Sequence, residues 1–265
     1  MIEALILGSV QGIAEWLPVS SEGLIFLIKA NFFPGSGFSE TLKQALFFHF
    51  GTFLAALVYF RKEVWGLIKT LVNYKKSSLE SQKVFQFLVL TTLISGILGL
   101  AVYKLTGSLE GNNLPARYIT LFVGFLLLIT AFLQYQSQKI SQNKFKNYSE
   151  IKTSDGVVLG LAQAAAVFPG LSRSGLTVSA LLLLKHKEAN ALKLSFLMSL
   201  PIVFLGNILL NLNQAVFSSA NLIGLLASFF LGLLTIKLLL KLAEKINFAL
   251  FVFIFAVLTI LAAFI

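Results

Sequence analysis

The sequence predicts an all-α polytopic membrane protein with an inverted-topology repeat, each repeat consisting of one re-entrant helical hairpin and three transmembrane helices. Composition is the first reason: 57% of the 265 residues are hydrophobic and 12% are charged, roughly half the charged fraction of soluble domains. The second reason is a short polar motif that occurs twice between apolar stretches. The third is a strong asymmetry of lysine and arginine between alternate loops.

The two copies of the polar motif are related by one constant offset. Leu7–Gln11 reads L-G-S-V-Q, and Leu159–Gln163, 152 residues later, reads L-G-L-A-Q. The same offset relates three further pairs, namely Ser20 and Ser172, Ser21 and Arg173, and Gly23 and Gly175. Polar residues at membrane depth cost free energy, so a repeated polar break in apolar sequence indicates a binding site.

The apolar segments fall into two length classes. A transmembrane helix needs about 20 apolar residues, and six segments qualify: 43–60, 84–103, 117–135, 190–212, 219–241 and 247–265. Four segments are shorter: 2–14, 22–32, 153–168 and 175–184. The short segments form two pairs, each flanking one copy of the motif. Two half-length helices joined by a polar turn are typical of a re-entrant hairpin, whose irregular backbone must be buried in protein or line a cavity.

The hairpins and spans divide the chain into two repeats. Residues 1–135 form the first repeat with hairpin 2–32, residues 136–152 form a cytoplasmic linker, and residues 153–265 form the second repeat with hairpin 153–184. Three crossings are an odd number, and the second repeat therefore begins on the opposite side of the membrane from the first. This arrangement allows the two hairpin tips to meet near the midplane.

The distribution of basic residues tests this topology independently. Sixteen of them lie on the side that faces the cytoplasm in the hairpin scheme, mainly in loops 61–83 and 136–153, and four lie on the other side. The positive-inside rule then places both termini and the mouth of the first hairpin outside. Because this topology explains the net charge of +10, we expect the lipid bilayer, and not nucleic acid, to be the partner of the basic residues.

Two further features bear on the environment and the chemistry. Val64–Val72 has the pattern of an amphipathic helix on the inner membrane surface, although a solvated basic loop with a tryptophan anchor fits the pattern equally well. The chain contains no cysteine, which excludes disulfides, thiolate catalysis and cysteine-based metal sites.

The second copy of the motif, P-G-L-S-R-S-G-L-T at Pro169–Thr177, has the features of a phosphate receptor. An arginine at membrane depth costs about 2.5–3.5 kcal/mol and needs an anionic partner. Hydroxyls, glycines and the N-terminus of a restarting helix surround Arg173. Together with one serine of the first copy, the predicted phosphate-binding residues are Ser20, Gly170, Ser172, Ser174, Gly175 and Thr177. The alternative is that Arg173 only pairs with Glu15 and joins the two repeats.

The first copy, Q-G-I-A-E-W-L-P-V-S-S-E-G-L, contributes acidic and hydroxyl groups. Gln11 and Glu15 are four residues apart and therefore share one helix face. A carboxylate at an apolar helix end suits a general acid or base, or a metal ligand. Ser20 and Ser21 either cap the next half-helix or face the arginine. Glu22 lies in the first helical turn, where interaction with the helix dipole alone could explain it.

Taken together, these motifs resemble the bacitracin-resistance type of undecaprenyl-diphosphate phosphatase. Two more stretches carry the resemblance, H-F-G-T-F-L-A-A-L-V-Y-F-R-K (His49–Lys62) and L-S-F-L-M-S-L-P (Leu194–Pro201), and it extends over the whole chain. The resemblance implies a polytopic enzyme with inverted repeats and re-entrant hairpins in the cytoplasmic membrane. It also implies an active site accessible from the outer face, a divalent cation, and a homodimer as one possible assembly.

The resemblance assigns roles to residues of this chain. Gln11 and Glu15 match the acidic motif of the family, where Glu15 would be the base or would bind Mg²⁺ or Ca²⁺ with Gln11. Ser21 would be the nucleophile or would position a water molecule. Arg173 would hold the phosphates and stabilise the transition state. Leu24 is a departure, because the family has a histidine there that assists catalysis.

The function predicted from the sequence is hydrolysis of undecaprenyl (polyprenyl) diphosphate to the monophosphate and phosphate, which recycles the carrier lipid for cell-wall polymer synthesis. The alternative is a polyprenyl-phosphate transporter or flippase that binds the same headgroup without cleaving it, since inverted repeats with broken helices are typical of alternating access. A small-ion channel is disfavoured because the sequence lacks a repeated carboxylate ring. His49, in an apolar segment, is more typical of a packed residue than of a catalytic one.

Overall fold

The computed structural model describes residues 1–17, 19–33, 35, 37–107, 115–139, 146–211, 218–243 and 247–264, and within these it is helical without a named β-strand. The α-helices, numbered α1 to α11 in chain order, are Ile2–Ala14, Ser21–Phe32, Phe38–Tyr59, Arg61–Val72, Leu79–Gly107, Ala116–Gln138, Thr153–Ala165, Arg173–Leu183, Glu188–Asn211, Ser219–Ala243 and Phe248–Ala262. Short 3₁₀ turns lie at Tyr74–Lys76 and Tyr148–Glu150.

Among the residues that the structure describes, five helices are long and apolar enough to cross a membrane. They contain the segments Ser39–Tyr59, Leu79–Lys104, Ala116–Gln138, Ala189–Asn211 and Ser219–Leu238. These five correspond to five of the six predicted spans, and they confirm a polytopic helical membrane protein. The sixth predicted span, 247–265, is helical over 15 residues, Phe248–Ala262, and its crossing of the membrane stays a prediction.

The four short helices begin and end close to their predicted limits, and the two helices that follow the polar turns begin in the same way. Ser20 precedes α2 and its Oγ accepts a hydrogen bond of 3.0 Å from Gly23 N. Ser172 precedes α8 and its Oγ accepts a hydrogen bond of 3.1 Å from Gly175 N. A serine N-cap satisfies backbone donors that have no partner within the helix. This capping explains why both helices restart at the polar motif.

Each short helix that precedes a polar turn packs along a long helix from the other half of the chain. Helix α1 packs on α10, and α7 packs on α5. A Cβ atom added at Gly8 would lie 2.0 Å from the carbonyl oxygen of Gly224, so both glycines are needed where α1 crosses α10. At the other crossing a Cβ atom added at Gly160 would lie 2.7 Å from Cβ of Ile94. Small residues allow this close approach of helices in a membrane.

An aromatic cluster fixes the end of α1 against α9 and α10. The indole nitrogen of Trp16 donates a hydrogen bond of 2.9 Å to the carbonyl oxygen of Gly232 in α10. The Trp16 ring meets the Phe196 ring edge-on at a centroid distance of 5.4 Å, and Phe60 stacks on Phe196 at 6.2 Å. Because Trp16 directly follows Glu15, this packing determines where the acidic residue lies.

The predicted amphipathic helix is present as α4 and is slightly longer than expected. It exposes Trp65, Ile68 and Leu71, and the Lys69 ammonium lies 5.8 Å from the Trp65 ring centroid. An exposed apolar stripe beside basic residues is typical of a helix at a membrane surface. The alternative of an irregular basic loop is wrong for this segment.

Candidate active site

The two polar turns touch each other directly. The backbone N–H of Gly170 in the second turn donates a hydrogen bond of 3.0 Å to Ser20 Oγ in the first. In the same direction, Ser174 Oγ of the second turn donates to the carbonyl oxygen of Leu17 in the first at 3.0 Å. Helices α2 and α8 begin at this contact, and both helix N-termini therefore contribute positive partial charge to the same place. The sequence prediction that the two turns meet agrees with these contacts.

Glu15 is the centre of the hydrogen-bond network at this contact, and its side chain is buried. One carboxylate oxygen, Oε2, accepts hydrogen bonds from Gln11 Nε2 at 2.8 Å and from Ser21 Oγ at 3.0 Å. The other oxygen, Oε1, forms an ion pair with Nη2 of Arg173. The carboxylate thus joins the first turn to the second, while a hydroxyl group lies within proton-transfer distance of it.

Arg173 is held on three sides at the start of α8. Besides its ion pair with Glu15, the guanidinium donates a hydrogen bond of 3.2 Å from Nη1 to the carbonyl oxygen of Ser195. Its Cζ lies 5.9 Å from the ring centroid of Phe196. The predicted alternative of a contact between the repeats is therefore present in the structure. The same guanidinium also lines a cavity, so pairing with Glu15 and binding of an anion are both open to it.

The contact between the turns forms a small cavity of about 30 Å³. Its lining residues are Glu15, Val19, Ser20, Ser21, Glu22, His49, Ala166, Leu171, Ser172, Arg173 and Ser174. All three predicted catalytic residues and three of the six predicted phosphate-binding residues are among them. A guanidinium, several hydroxyls and two helix N-termini around one small space form an environment suited to a phosphate group.

The other three residues predicted to bind phosphate lie behind the cavity wall. Thr177 Oγ1 donates a hydrogen bond of 2.7 Å to the carbonyl oxygen of Arg173 and lies 2.7 Å from Ser195 Oγ. Gly170 adopts a φ of 107°, which favours glycine, and packs against Val123. A Cβ atom at Gly175 would lie 2.7 Å from the side chain of Gln134. These three residues shape the turn and support Arg173.

Gln11 also lies behind the cavity. Its side chain is completely buried, and Nε2 lies 3.4 Å from Thr52 Oγ1 in addition to its bond with Glu15. Its amide oxygen accepts no hydrogen bond from the described part of the chain. Gln11 therefore orients Glu15 from the side that faces away from the cavity. The prediction that the two residues are neighbours on one helix face agrees with the structure.

The structure adds two residues to the site that the sequence reasoning did not assign to it. His49 Nε2 lies 3.2 Å from Glu15 Oε2 and 3.5 Å from Ser21 Oγ. Glu22 Oε1 lies 3.9 Å from His49 Nε2. His49 belongs to α3, far along the chain from the residues of the polar turn. The signal available in the sequence was that it is the single histidine in a transmembrane segment.

A large apolar groove begins beside the polar cavity. It has a volume of about 360 Å³ and lies mainly between α3, α5 and α9. Its residues are Glu22, Leu42, Leu46, Thr92, Leu93, Ser95, Gly96, Ile97, Gly99, Leu100, Tyr103, Gln163, Val167, Ile202, Leu205, Gly206, Leu209 and Leu210. Glu22 lines both the groove and the polar cavity, and the two spaces therefore adjoin at this residue.

The fold and the site define a class of protein: a polytopic membrane protein with an arginine-lined polar cavity beside an apolar groove. Residues 4–261 match the sequence profile of the family described as bacitracin resistance protein BacA, and the chain belongs to this family.

Relatives from several archaea carry the name undecaprenyl-diphosphatase. The protein of Methanococcoides burtonii is 41% identical over 99% of this chain and 98% of its own length. That of Saccharolobus solfataricus is 36% identical over 97% and 94%, respectively. That of Haloarcula marismortui is 32% identical over 94% and 92%. The predicted family resemblance is confirmed.

Proposed function

We propose that the protein hydrolyses undecaprenyl diphosphate, or a related polyprenyl diphosphate, to the monophosphate and inorganic phosphate. The observation that carries this proposal is the meeting of Glu15, Ser21 and Arg173 in one buried cavity that adjoins an apolar groove. Membership of the BacA family and the printed name of the relatives support the same reaction. The product would return to cell-wall polymer synthesis as a carrier lipid.

Substrate binding would begin with an exchange of partners at Arg173. In the structure its guanidinium is paired with Glu15. The terminal phosphate offers two oxygens for a bidentate bond with the guanidinium, so it competes well with the carboxylate. Loss of the ion pair leaves Glu15 free to accept a proton. Binding of the headgroup and release of the base are therefore one event.

The reaction would use the hydroxyl that already donates to Glu15. Ser21 transfers its proton to Glu15 Oε2, and its oxygen bonds to the terminal phosphorus. The bond from that phosphorus to the bridging oxygen breaks, and its electron pair stays on the lipid monophosphate. Water then hydrolyses the phosphoserine. In the alternative, Ser21 orients a water molecule that Glu15 deprotonates, and the same bond breaks in one step. Arg173 and the helix N-termini stabilise the developing charge.

The isoprenoid tail would lie in the apolar groove. The groove adjoins the polar cavity at Glu22 and is lined mostly by aliphatic side chains of α3, α5 and α9. Burial of an unsaturated hydrocarbon chain there would contribute about 25 cal/mol for each Å² removed from water. Continuity between a polar and an apolar space matches a lipid with a charged headgroup. It also explains how one molecule could reach a buried site from the membrane.

We also propose that a divalent cation, Mg²⁺ or Ca²⁺, takes part through Glu15 and Gln11. Both residues offer oxygen atoms, the ligands that these ions prefer, and the amide oxygen of Gln11 has no hydrogen-bond partner among the described residues. Within those residues no group of three or more histidine and acidic side chains could hold a metal alone. Mg²⁺ commonly binds through one or two carboxylates and substrate phosphates. The bound cation would neutralise phosphate charge. Calorimetric titration with Mg²⁺ should therefore detect binding only when the lipid diphosphate is present.

The proposed topology has two re-entrant hairpins in inverted repeats, with the cavity open to the outer face of the cytoplasmic membrane. The reciprocal packing of α1 on α10 and α7 on α5 supports it, as does the asymmetry of basic residues. The natural chain has no cysteine, and so introduced cysteines can be labelled selectively. Cysteines at Gly37 and Ser218 should react with an impermeant thiol reagent in intact cells, whereas cysteines at Ser78 and Lys187 should not. Labelling of Ser78→Cys from outside would contradict this topology. The homodimer that the family resemblance implies stays a prediction.

The deciding experiment measures phosphate release by the purified protein in detergent from a long-chain polyprenyl diphosphate. We expect catalytic turnover that depends on Glu15 and Arg173. An acid quench during turnover should trap phosphoserine at Ser21 if the covalent route operates. If water attacks directly, no phosphoserine should be found at Ser21. A protein that binds the lipid diphosphate but releases no phosphate would instead be the transporter of the alternative prediction, which family membership does not favour.

A further inference from the structure

The histidine of α3 lies between the proposed base and the proposed nucleophile. Its Nε2 is 3.2 Å from Glu15 Oε2 and 3.5 Å from Ser21 Oγ. Its side chain is 9% exposed, and it lines the polar cavity. Neither polar turn contains this residue, and the family motifs at the turns do not assign it a role.

The backbone of α3 fixes the orientation of this imidazole. His49 Nδ1 lies 2.8 Å from the carbonyl oxygen of Ala45, one helical turn earlier. A carbonyl oxygen only accepts hydrogen bonds, so Nδ1 carries the hydrogen and Nε2 faces the cavity. Helix α3 is itself anchored beside the histidine, because Ser228 of α10 donates a hydrogen bond of 2.8 Å to the carbonyl oxygen of Phe48. The position of Nε2 is thus determined by α3 and α10, independently of the polar turns.

The family histidine that this chain lacks corresponds to Leu24, and Leu24 lies elsewhere. It packs against an apolar cluster that includes Val19, Val123 and Leu127. It belongs to α2, whereas His49 reaches Glu15 and Ser21 from the neighbouring α3. An imidazole is therefore present at the reacting groups even though the motif position holds leucine.

We infer that His49 is a positioning residue, which holds the Glu15 carboxylate and the Ser21 hydroxyl in register for proton transfer. This inference rests on the proposed phosphatase function. Because a carboxylate only accepts hydrogen bonds, the role needs an N–H donor at the place of Nε2. Glutamine carries its amide nitrogen the same number of bonds from Cα as histidine carries Nε2. Asparagine is shorter and can replace only Nδ1.

These chemical differences give a matched set of variants. His49→Gln should keep the contact with Glu15 and Ser21 and retain most of the turnover. His49→Asn keeps only the bond to Ala45, and should lower kcat on the order of 100-fold, since a misplacement of about 1 Å can cost that much. The KM for the lipid diphosphate should change little in both, because Arg173 and the groove bind it. A role in the stability of α3 alone would make asparagine the better replacement.

A second measurement examines the contact without relying on turnover. The chain has two histidines, so ring ¹⁵N spectra of histidine-labelled protein contain two sets of signals, which His186→Gln assigns. Ser21→Ala and Glu15→Gln should each shift the Nε2 signal of His49 and leave Nδ1 and His186 nearly unchanged. Correct folding of every variant is checked by circular dichroism and by its elution volume in detergent.

The outcomes separate this inference from the proposed function. If wild-type protein releases phosphate and glutamine alone rescues turnover, both stand. If wild-type protein is active but His49→Gln is as slow as His49→Asn, or if both are fast, the positioning role is wrong. If wild-type protein releases no phosphate, the proposed function fails and the spectra decide: shifts caused by Ser21→Ala support the role of His49, and unshifted signals overturn it.

Discussion

The two polar turns share one backbone plan but carry different chemistry. Both helices after the turns begin at a serine cap, Ser20 in the first copy and Ser172 in the second, with nearly equal hydrogen-bond lengths of 3.0 and 3.1 Å. At the next position the first copy has Ser21 and the second has Arg173. Under the proposed function, the first copy would contribute the reacting hydroxyl, and the second would contribute the cation that binds the substrate phosphate.

Other matched positions show the same separation. Glu15, the centre of the polar cavity, corresponds to Val167, which lines the apolar groove. Gln11 and Gln163 are identical, yet Gln11 donates to Glu15 at 2.8 Å and Gln163 donates to Ser95 on the groove wall at 3.0 Å. Repetition therefore gives the protein two similar helical hairpins, while divergence at single positions makes one copy acidic and the other cationic or apolar.

The comparison predicts its largest effect at Glu15. Glu15→Gln removes the proton acceptor and should lower phosphate release by roughly 10³-fold or more, in the range that loss of acid–base catalysis produces. Binding of the lipid diphosphate should remain measurable by calorimetry, because Arg173 loses its competing carboxylate. Val167→Ala, at the matched position of the second copy, is the control and should retain hydrolysis. Near-normal turnover of Glu15→Gln would show that the acidic copy does not supply the base.

The next largest effect is expected at Arg173. Arg173→Lys keeps the positive charge but loses the planar pair of donors, and it should reduce kcat by roughly 10²-fold. A steady-state assay of phosphate release measures this change. If lysine sustained near-normal turnover, Arg173 would act only as the counter-ion of Glu15. That is the alternative role that the sequence left open for this arginine.

A smaller effect is expected in the groove. Gly96 lies on the groove wall, and a Cβ atom there would be 3.5 Å from Ile202 Cδ1. Gly96→Leu places a larger side chain in the space for the tail and should raise KM for a long-chain substrate about tenfold, which corresponds to about 1.4 kcal/mol. A short-chain diphosphate should be hydrolysed as before. Gly66→Leu on α4, where a Cβ atom meets nothing within 4 Å, is the matched control.

The smallest effect on kcat is expected at the two identical glutamines, Gln11 and Gln163. Gln11→Leu removes a buried hydrogen bond to Glu15 and should lower kcat about fivefold, since such a bond contributes roughly 1 kcal/mol. Gln163→Leu removes the bond to Ser95 and should lower kcat less, with its main effect on thermal stability. Measurement of kcat and of the unfolding temperature for both variants tests the order. Equal losses of kcat would mean that the two copies have not separated their roles at this position.

Much of the fold could be predicted because its signals are local. Apolar segment length located five membrane-spanning helices, and the offset of 152 residues located both polar turns. The serine caps fixed the starts of α2 and α8 to within two residues. The last helix, α11, was predicted too long at its C-terminal end. Asn247 caps it, with Oδ1 accepting from Leu250 N at 3.1 Å, but the helix ends at Ala262.

The parts of the site that escaped prediction depend on packing between distant helices. His49 reaches Glu15 because α3 packs beside α1, a contact that no spacing within either segment encodes. Thr177 has the residue type of a phosphate ligand, yet its hydroxyl bonds to the carbonyl oxygen of Arg173 one turn earlier. Glu22 has the position of a capping residue and nevertheless lines both spaces. Residue type and spacing identify candidates, whereas side-chain direction depends on the neighbouring helix.

The ion pair between Glu15 and Arg173 also has a consequence for the end of the catalytic cycle. Under the proposed function, inorganic phosphate would remain on the guanidinium once the phosphoanhydride bond is broken, and the Glu15 carboxylate is the nearest anion that could replace it. Re-formation of the pair would lower the affinity for the product as well as for the substrate. The protein would then release phosphate quickly and tolerate high concentrations of it. The acidic residue that assists bond cleavage would thereby also clear the site for the next lipid.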